Sequence, residues 1–187
     1  MKNRIISLSL KLFIFFLITL QLNASEQVWN LAQKGNKIIL IRHSLAPGGG
    51  DPAGFKIDDC KTQRNLNKKG INQSKKIGKL FKKNKIPIDV VLSSQWCRCK
   101  DTAKYAFRNY KEFTPLNSTF QSPYNKNEGK QLKELYDYVK QWDGKGKNLV
   151  LITHYSIITA VTNAVPSSGE IVVADKNFKV LGTIQTD

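Results

Sequence analysis

The sequence predicts an α/β protein: a three-layer α/β/α sandwich around a mainly parallel central sheet. Three observations predict it. First, Ile38–Ile41 and Leu149–Ile152 are short aliphatic runs bounded by turn signals. Such runs read as strands buried on both faces, as in parallel sheets. Second, helical segments alternate with these strands, which is the pattern of an α/β sandwich. Third, each run is followed by a polar residue and then a histidine, Arg42-His43 and Thr153-His154, and these are the only 2 histidines in 187 residues. Ligands of open α/β sheets sit beyond the carboxyl ends of the strands. Two imidazoles are therefore expected to face one pocket, with Arg42 beside the first, a set suited to an anionic substrate and a nucleophilic histidine.

The elements follow in order. Lys37–His43 is the first strand, and Leu45–Lys61 is a Gly/Pro/Asp-rich loop flexible enough to border a site. Asn67 is a good N-cap for a helix running to about Asn84. On it, Ile71, Ser74, Gly78 and Phe81 fall on one face, and the small residues allow close approach to the sheet. Ile86-Pro87 ends that helix. Asp89–Ser93 is a second short strand. A helix over Cys97–Asn109 turns Ala103, Ala106 and Phe107 inward. Glu112–Leu116 reads as an edge strand limited by Pro115, and Asn117–Glu128 as polar loop. Lys130–Trp142 is amphipathic, with Leu132, Leu135, Tyr136, Val139 and Trp142 on one face. After the turn Asp143–Gly146, Asn148–His154 is the third core strand and Ser156–Ala164 a helix. Gly169–Asp175 and Lys179–Gln185 form a closing hairpin that supplies antiparallel edge strands.

The N-terminus reads separately. Met1–Arg4 is a positive n-region, Ile5–Leu22 is largely apolar, and Leu22-Asn23-Ala24 resembles a cleavage site. Residues 1–24 are read as a secretory signal peptide, the other reading being an uncleaved anchor. Residues 25–187 then form one domain, exported to a periplasm or the cell exterior, with the membrane touched only through the N-terminal segment if that stays uncleaved. The chain carries 30 Lys and Arg against 14 Asp and Glu, a net +16. Much of the excess lies in Asn67–Lys85. That segment reads as a solvated helix face or as an attractor of anionic partners. Aromatic residues do not interleave with these lysines until Phe81, so no nucleic-acid platform is expected. Cys60, Cys97 and Cys99 allow one disulfide, between Cys60 and either Cys97 or Cys99. No metal and no cofactor are expected: three cysteines lack a fourth zinc ligand.

The residues after the strands carry the chemistry: Arg42, His43 and Ser44; Ser93, Ser94 and Arg98; Thr153 and His154. Guanidinium groups bind phosphate bidentately and stay charged, and a helix starting near Arg98 adds backbone N–H groups. Leu40-Ile41-Arg42-His43-Ser44 resembles the Arg-His-Gly signature of the histidine phosphatase superfamily, the fold of phosphoglycerate mutase-like enzymes. Ser93–Ala103 resembles that family's second motif, Leu151–Tyr155 its third, and Arg64–Gly70 the helix start between motifs one and two. The resemblance runs in order through nearly all of residues 25–187. It implies that His43 becomes phosphorylated and that Arg42, Arg98 and His154 complete the phosphate pocket. Arg64 and Ser44 are candidate substrate-binding residues, and the implied partner is a small phosphorylated or anionic substrate.

Two departures stand out. Ser44 replaces the usual Gly. The Glu that protonates the leaving group in many members has no counterpart in Thr114–Phe120, which leaves Asp51, Asp58, Asp59 and Glu128 as candidates without a choice among them. The expected activity is metal-independent hydrolysis of a phosphate ester or phosphoramidate through a phosphohistidine at His43. The alternatives are a non-catalytic phosphate or polyanion binder on the same fold and a phosphomutase.

Overall fold

A computed structural model describes residues 25–187; the signal-peptide reading falls on residues 1–24, outside the described residues. Helical residues 25–33 (α1) lead into β1 (Ile38–Arg42), followed by α2 (Lys68–Lys83), β2 (Ile88–Ser93), α3 (Cys97–Phe107) and β3 (Lys111–Glu112). Then come α4 (Glu128–Gln141), β4 (Asn148–Thr153), α5 (Tyr155–Thr162), β5 (Ile171–Ala174) and β6 (Val180–Ile184). The six strands lie in the order β3-β2-β4-β1-β5-β6. The first four run parallel, and the β5–β6 hairpin closes the sheet antiparallel against β1.

Alternation along the strands builds the two halves of the core. Ile39, Ile41, Val91, Val150 and Ile152 pack with Val28, Trp29, Ile77, Phe81 and Ala103, on the side of α1, α2 and α3. Ile38, Leu40, Leu92, Leu149 and Leu151 pack with Leu135, Val139, Ile157 and Ile158, on the side of α4 and α5. The expected three-layer sandwich is what forms.

Several elements differ from expectation. Helix α1 is an addition to the expected elements; Val28, Trp29 and Ala32 put one apolar face into the core, and Trp29 meets Phe81 edge-on at 5.6 Å between ring centroids. Helix α2 starts at the expected cap, the Asn67 side chain accepting from Gly70 N–H. Its buried face is rotated, however, to Gly70, Ser74, Ile77 and Phe81. The cause is Gly70, where any Cβ would collide with the Leu45 carbonyl, so this point of the helix presses on the loop after His43. A Cβ at Gly78 would likewise meet the Ala106 backbone, which brings α2 against α3. The edge strand is only Lys111–Glu112; Thr114–Leu116 turns into 3-10 helix because Pro115 has no N–H for a ladder. The polar stretch after it is not wholly solvated, since Asn117, Ser118 and Thr119 are buried.

The disulfide is Cys60–Cys97, which fastens the Gly-rich loop to the start of α3 across a separation of 37 residues; Cys99 is free and buried. Closing a loop of that size removes about 4 kcal/mol of chain entropy from the unfolded state. Cys60→Ser is therefore expected to lower Tm by roughly 10 °C. Thermal unfolding with and without a thiol reductant checks this. A variant that melts within about 2 °C of the parent would contradict it.

Candidate active site

Strand register assembles the site. Arg42 pairs with Thr153 and Ser93 with Ile152, so the parallel strands β1, β4 and β2 finish at the same carboxyl end of the sheet. The ladder continues one step further. His43 N–H donates to Thr153 O and Ser94 N–H to Ile152 O, each at 2.9 Å. His43, Ser94 and His154 thus emerge side by side.

His43 is buried, and its Nδ1 lies 2.9 Å from the Ser44 carbonyl. A carbonyl only accepts, so Nδ1 carries the proton and Nε2 keeps its lone pair. Ser44 N–H donates to Thr102 Oγ1 at 3.0 Å, and the Ser44 hydroxyl accepts from Ser74 Oγ at 2.8 Å. The Ser44 side chain is therefore engaged with α2; it ties the turn to the scaffold, where a substrate contact was expected.

His154 precedes α5, with its ring 5.4 Å from that of His43. Its Nδ1 faces Arg98 Nη2 at 3.4 Å and its Nε2 lies 2.9 Å from Ser94 Oγ. A guanidinium only donates, so Nδ1 accepts and Nε2–H points at Ser94. The Ser94 hydroxyl in turn donates to Asn117 Oδ1 at 3.1 Å. Cys99 Sγ sits 3.4 Å from the same Nε2, and burial pushes its thiol up to about 12, so it stays a neutral neighbour.

Arg98 lies in the first turn of α3, and its Nη1 donates to both Asp51 oxygens, at 2.8 and 3.0 Å. Arg42 is half-buried, donates through Nη1 to Pro166 O at 2.9 Å and lies 5.5 Å over the Tyr155 ring. The Nε atoms of Arg42 and Arg98 are buried without a hydrogen-bond partner. Arg64 donates to Gly50 O at 2.8 Å and to Ala46 O, fixing the loop after His43. Its charge also acts on His43.

The proton-donor candidates separate. Asp51 is bound to Arg98, Asp58 and Asp59 are exposed, and Glu128 accepts from Thr119 Oγ1 at 2.8 Å. None of the four bonds either histidine among the described residues. Among the same residues no group of three or more His, Cys, Asp or Glu side chains is arranged to hold a metal ion.

Burial is the main cause holding both histidines well below the ordinary value of 6.5, with the charge of Arg98 next. A depressed folded value means that the native ring stays neutral while the unfolded chain takes up a proton below 6.5. These groups therefore cost no stability above 6.5 and lower it as pH falls below. The acid limb of kcat/KM, corrected for the substrate's own ionisation, is accordingly expected below 6.5. A limb centred above 6.5 would contradict the neutral, buried His43.

Two buried guanidinium nitrogens without a hydrogen-bond partner, on Arg42 and Arg98, belong to side chains whose charge acts on the neutral His43. The sequence of residues 38–135, more than half of the chain, matches the family model of the histidine phosphatase superfamily, branch 1. The chain belongs to that superfamily. No curated protein matches it by sequence. Solved structures match it in fold. The protein histidine phosphatase SixA, solved with tungstate, is 13% identical with a TM-score of 0.54, covering 80% of this chain and 97% of its own. The SixA from Agrobacterium tumefaciens is 16% identical with a TM-score of 0.56, covering 81% and 99%. Phosphoglycerate mutase from Thermus thermophilus is 16% identical with a TM-score of 0.54, covering 81% and 99%. At these identities the likeness shows the phosphoglycerate mutase-like fold. In this histidine phosphatase superfamily member, Arg42, His43, Arg98 and His154 come together as expected. Arg64 braces the loop beside them, and the Ser44 hydroxyl is bonded to Ser74. Sequence reasoning misses the Ser94–Asn117 support of His154. It names Asp51 only as an acid.

Proposed function

We propose that this protein hydrolyses a phosphate ester or phosphoramidate without a metal, through a phosphohistidine at His43. The observation that carries this reading is the state of His43: Nδ1–H tied to Ser44 O, which leaves the Nε2 lone pair free. Beside it are the unpartnered Nε atoms of Arg42 and Arg98. Nε2 attacks phosphorus, forming the N–P bond as the bond to the leaving group breaks. Arg42 and Arg98 hold the phosphoryl oxygens and offset their charge, the main demand of phosphoryl transfer, and His154 accepts from Arg98 Nη2 beside them. Water then attacks the phosphohistidine, releasing phosphate and restoring neutral His43.

Among the described residues no carboxyl group bonds either histidine, and we infer that the leaving group takes its proton from solvent. That favours leaving groups needing little help, such as a phenolate or the imidazole of a phosphohistidine. SixA, which shares the fold, is named a protein histidine phosphatase. The Cys60–Cys97 bridge supports reading residues 1–24 as an export signal, since disulfides persist in oxidising compartments.

The test is phosphate release by residues 25–187 with EDTA present, from an aryl phosphate, several sugar phosphates and a phosphohistidine peptide. Turnover of the aryl phosphate or the phosphopeptide, insensitive to EDTA, is expected. No turnover of any of them would overturn the reading in favour of a phosphate-binding protein. Transfer to a sugar acceptor in place of water would make it a mutase.

A further inference from the structure

Asp51 belongs to the Gly-rich loop, yet its side chain is only 2% exposed and is paired with Arg98, itself 3% exposed. Four N–H contacts converge on this carboxylate. Arg98 Nη1 reaches both oxygens, Trp96 Nε1 donates to Oδ2 at 2.9 Å, and Arg64 N–H donates to Oδ1 at 3.0 Å. Two further ties hold the loop to the same turn of α3: the Cys60–Cys97 bridge, and Cys97 N–H donating to Gln63 Oε1 at 3.0 Å. An exposed glycine-rich loop is thus fixed at the residues flanking Arg98.

The use Asp51 makes of Arg98 is one-sided. It takes only Nη1. Nη2 is turned to His154 Nδ1, and Nε is buried with no partner. A guanidinium is planar and rigid, so holding Nη1 sets the direction of the opposite Nε–Nη2 edge. That edge is the fork that grips two oxygens of a phosphoryl group. Asp51 does not block the fork; it aims it. A carboxylate also offsets part of the Arg98 charge, so it adds nothing to the pull on an anion. Its contribution is direction, which matters most when the phosphoryl group is in flight.

We propose that Asp51 is a positioning residue that directs the Nε–Nη2 edge of Arg98 at the phosphoryl group being transferred to His43. The proposal rests on the phosphatase reading. It makes a signature that a structural role would not. Asp51→Asn keeps the shape but lets the Arg98 fork turn, and it frees the charge of Arg98. Misaiming a catalytic group costs about 10- to 100-fold in rate. Phosphate binding in the ground state should hold or tighten.

The experiment compares wild type and Asp51→Asn in kcat, in inhibition by inorganic phosphate and in Tm. The expected result is kcat lower by about 10-fold or more, with the phosphate inhibition constant unchanged or smaller. A folded variant with wild-type kcat overturns the proposal, and so does a fall in kcat matched by an equal loss of phosphate affinity. Should Asp51→Asn fail to fold, Trp96→Phe carries the test. It removes one N–H from Asp51 and leaves Arg98 and Asp51 in place. A smaller drop in kcat without loss of phosphate affinity is expected, and an unchanged kcat overturns the proposal. Wild-type protein without turnover would instead remove the phosphatase reading itself, so the two failures are distinguishable.

Discussion

His43→Ala is expected to abolish phosphatase turnover, with kcat falling on the order of 10⁴-fold or more, the scale of losing a nucleophile. Among the described residues its Nε2 is the one imidazole nitrogen of the pair that no neighbour engages; both nitrogens of His154 are occupied, by Arg98 and by Ser94. The fold should survive, because the ring's one side-chain hydrogen bond is to the adjacent Ser44 carbonyl. Losing that bond and some packing costs on the order of 1–3 kcal/mol. Steady-state kinetics at saturating aryl phosphate, beside a thermal melt, check both parts. A variant that folds and keeps more than about 1% of turnover would place the nucleophile elsewhere.

Arg98→Ala is expected to cost about 10³-fold in kcat/KM, as removal of an arginine from the transferring phosphoryl group does. It also strips the buried Asp51 carboxylate of its counter-ion. Breaking a buried pair from one side typically costs about 3–5 kcal/mol, so this variant should also melt well below wild type. Arg98→Lys separates the two losses. An ammonium keeps the charge opposite Asp51 and restores much of the melting temperature, but it has no planar fork to present. Most of the rate should stay lost. Recovery of wild-type kcat/KM by lysine would mean that Arg98 acts as a point charge only. Arg42 is half-buried and bonded to Pro166 O, so its removal should be gentler on stability than that of Arg98.

What is legible in the sequence is local. The aliphatic runs of β1, β2 and β4, the Asn67 cap and the closing hairpin each carry their pattern within a few residues. His43 and His154 are readable because a strand end points into the crevice whatever surrounds it. The remainder depends on neighbours distant in sequence. The buried face of α2 is set by Gly70 meeting the Leu45 carbonyl, a docking event that periodicity alone does not contain. The Ser44 hydroxyl is taken by Ser74 on α2 and its backbone N–H by Thr102 on α3, partners that its place after β1 does not announce. Asp51 sits in a loop whose path is decided by a disulfide and by the Arg64 backbone, so its pairing with Arg98 is not readable. Helix α1 does carry a local signal, Val28, Trp29 and Ala32 at helical spacing, but it is short and lies between the apolar N-terminal stretch and the first strand.

A phosphohistidine at His43 is tested by trapping the phosphoenzyme. Wild-type protein would be mixed with excess aryl phosphate, quenched in denaturing alkali within one turnover, digested and analysed by mass. One added phosphoryl group is expected on the peptide carrying His43, stable in alkali, lost in acid and missing from His43→Ala. Burst release of the aryl leaving group with no phosphoryl group on His43, or with the label on a serine or on His154, would contradict it.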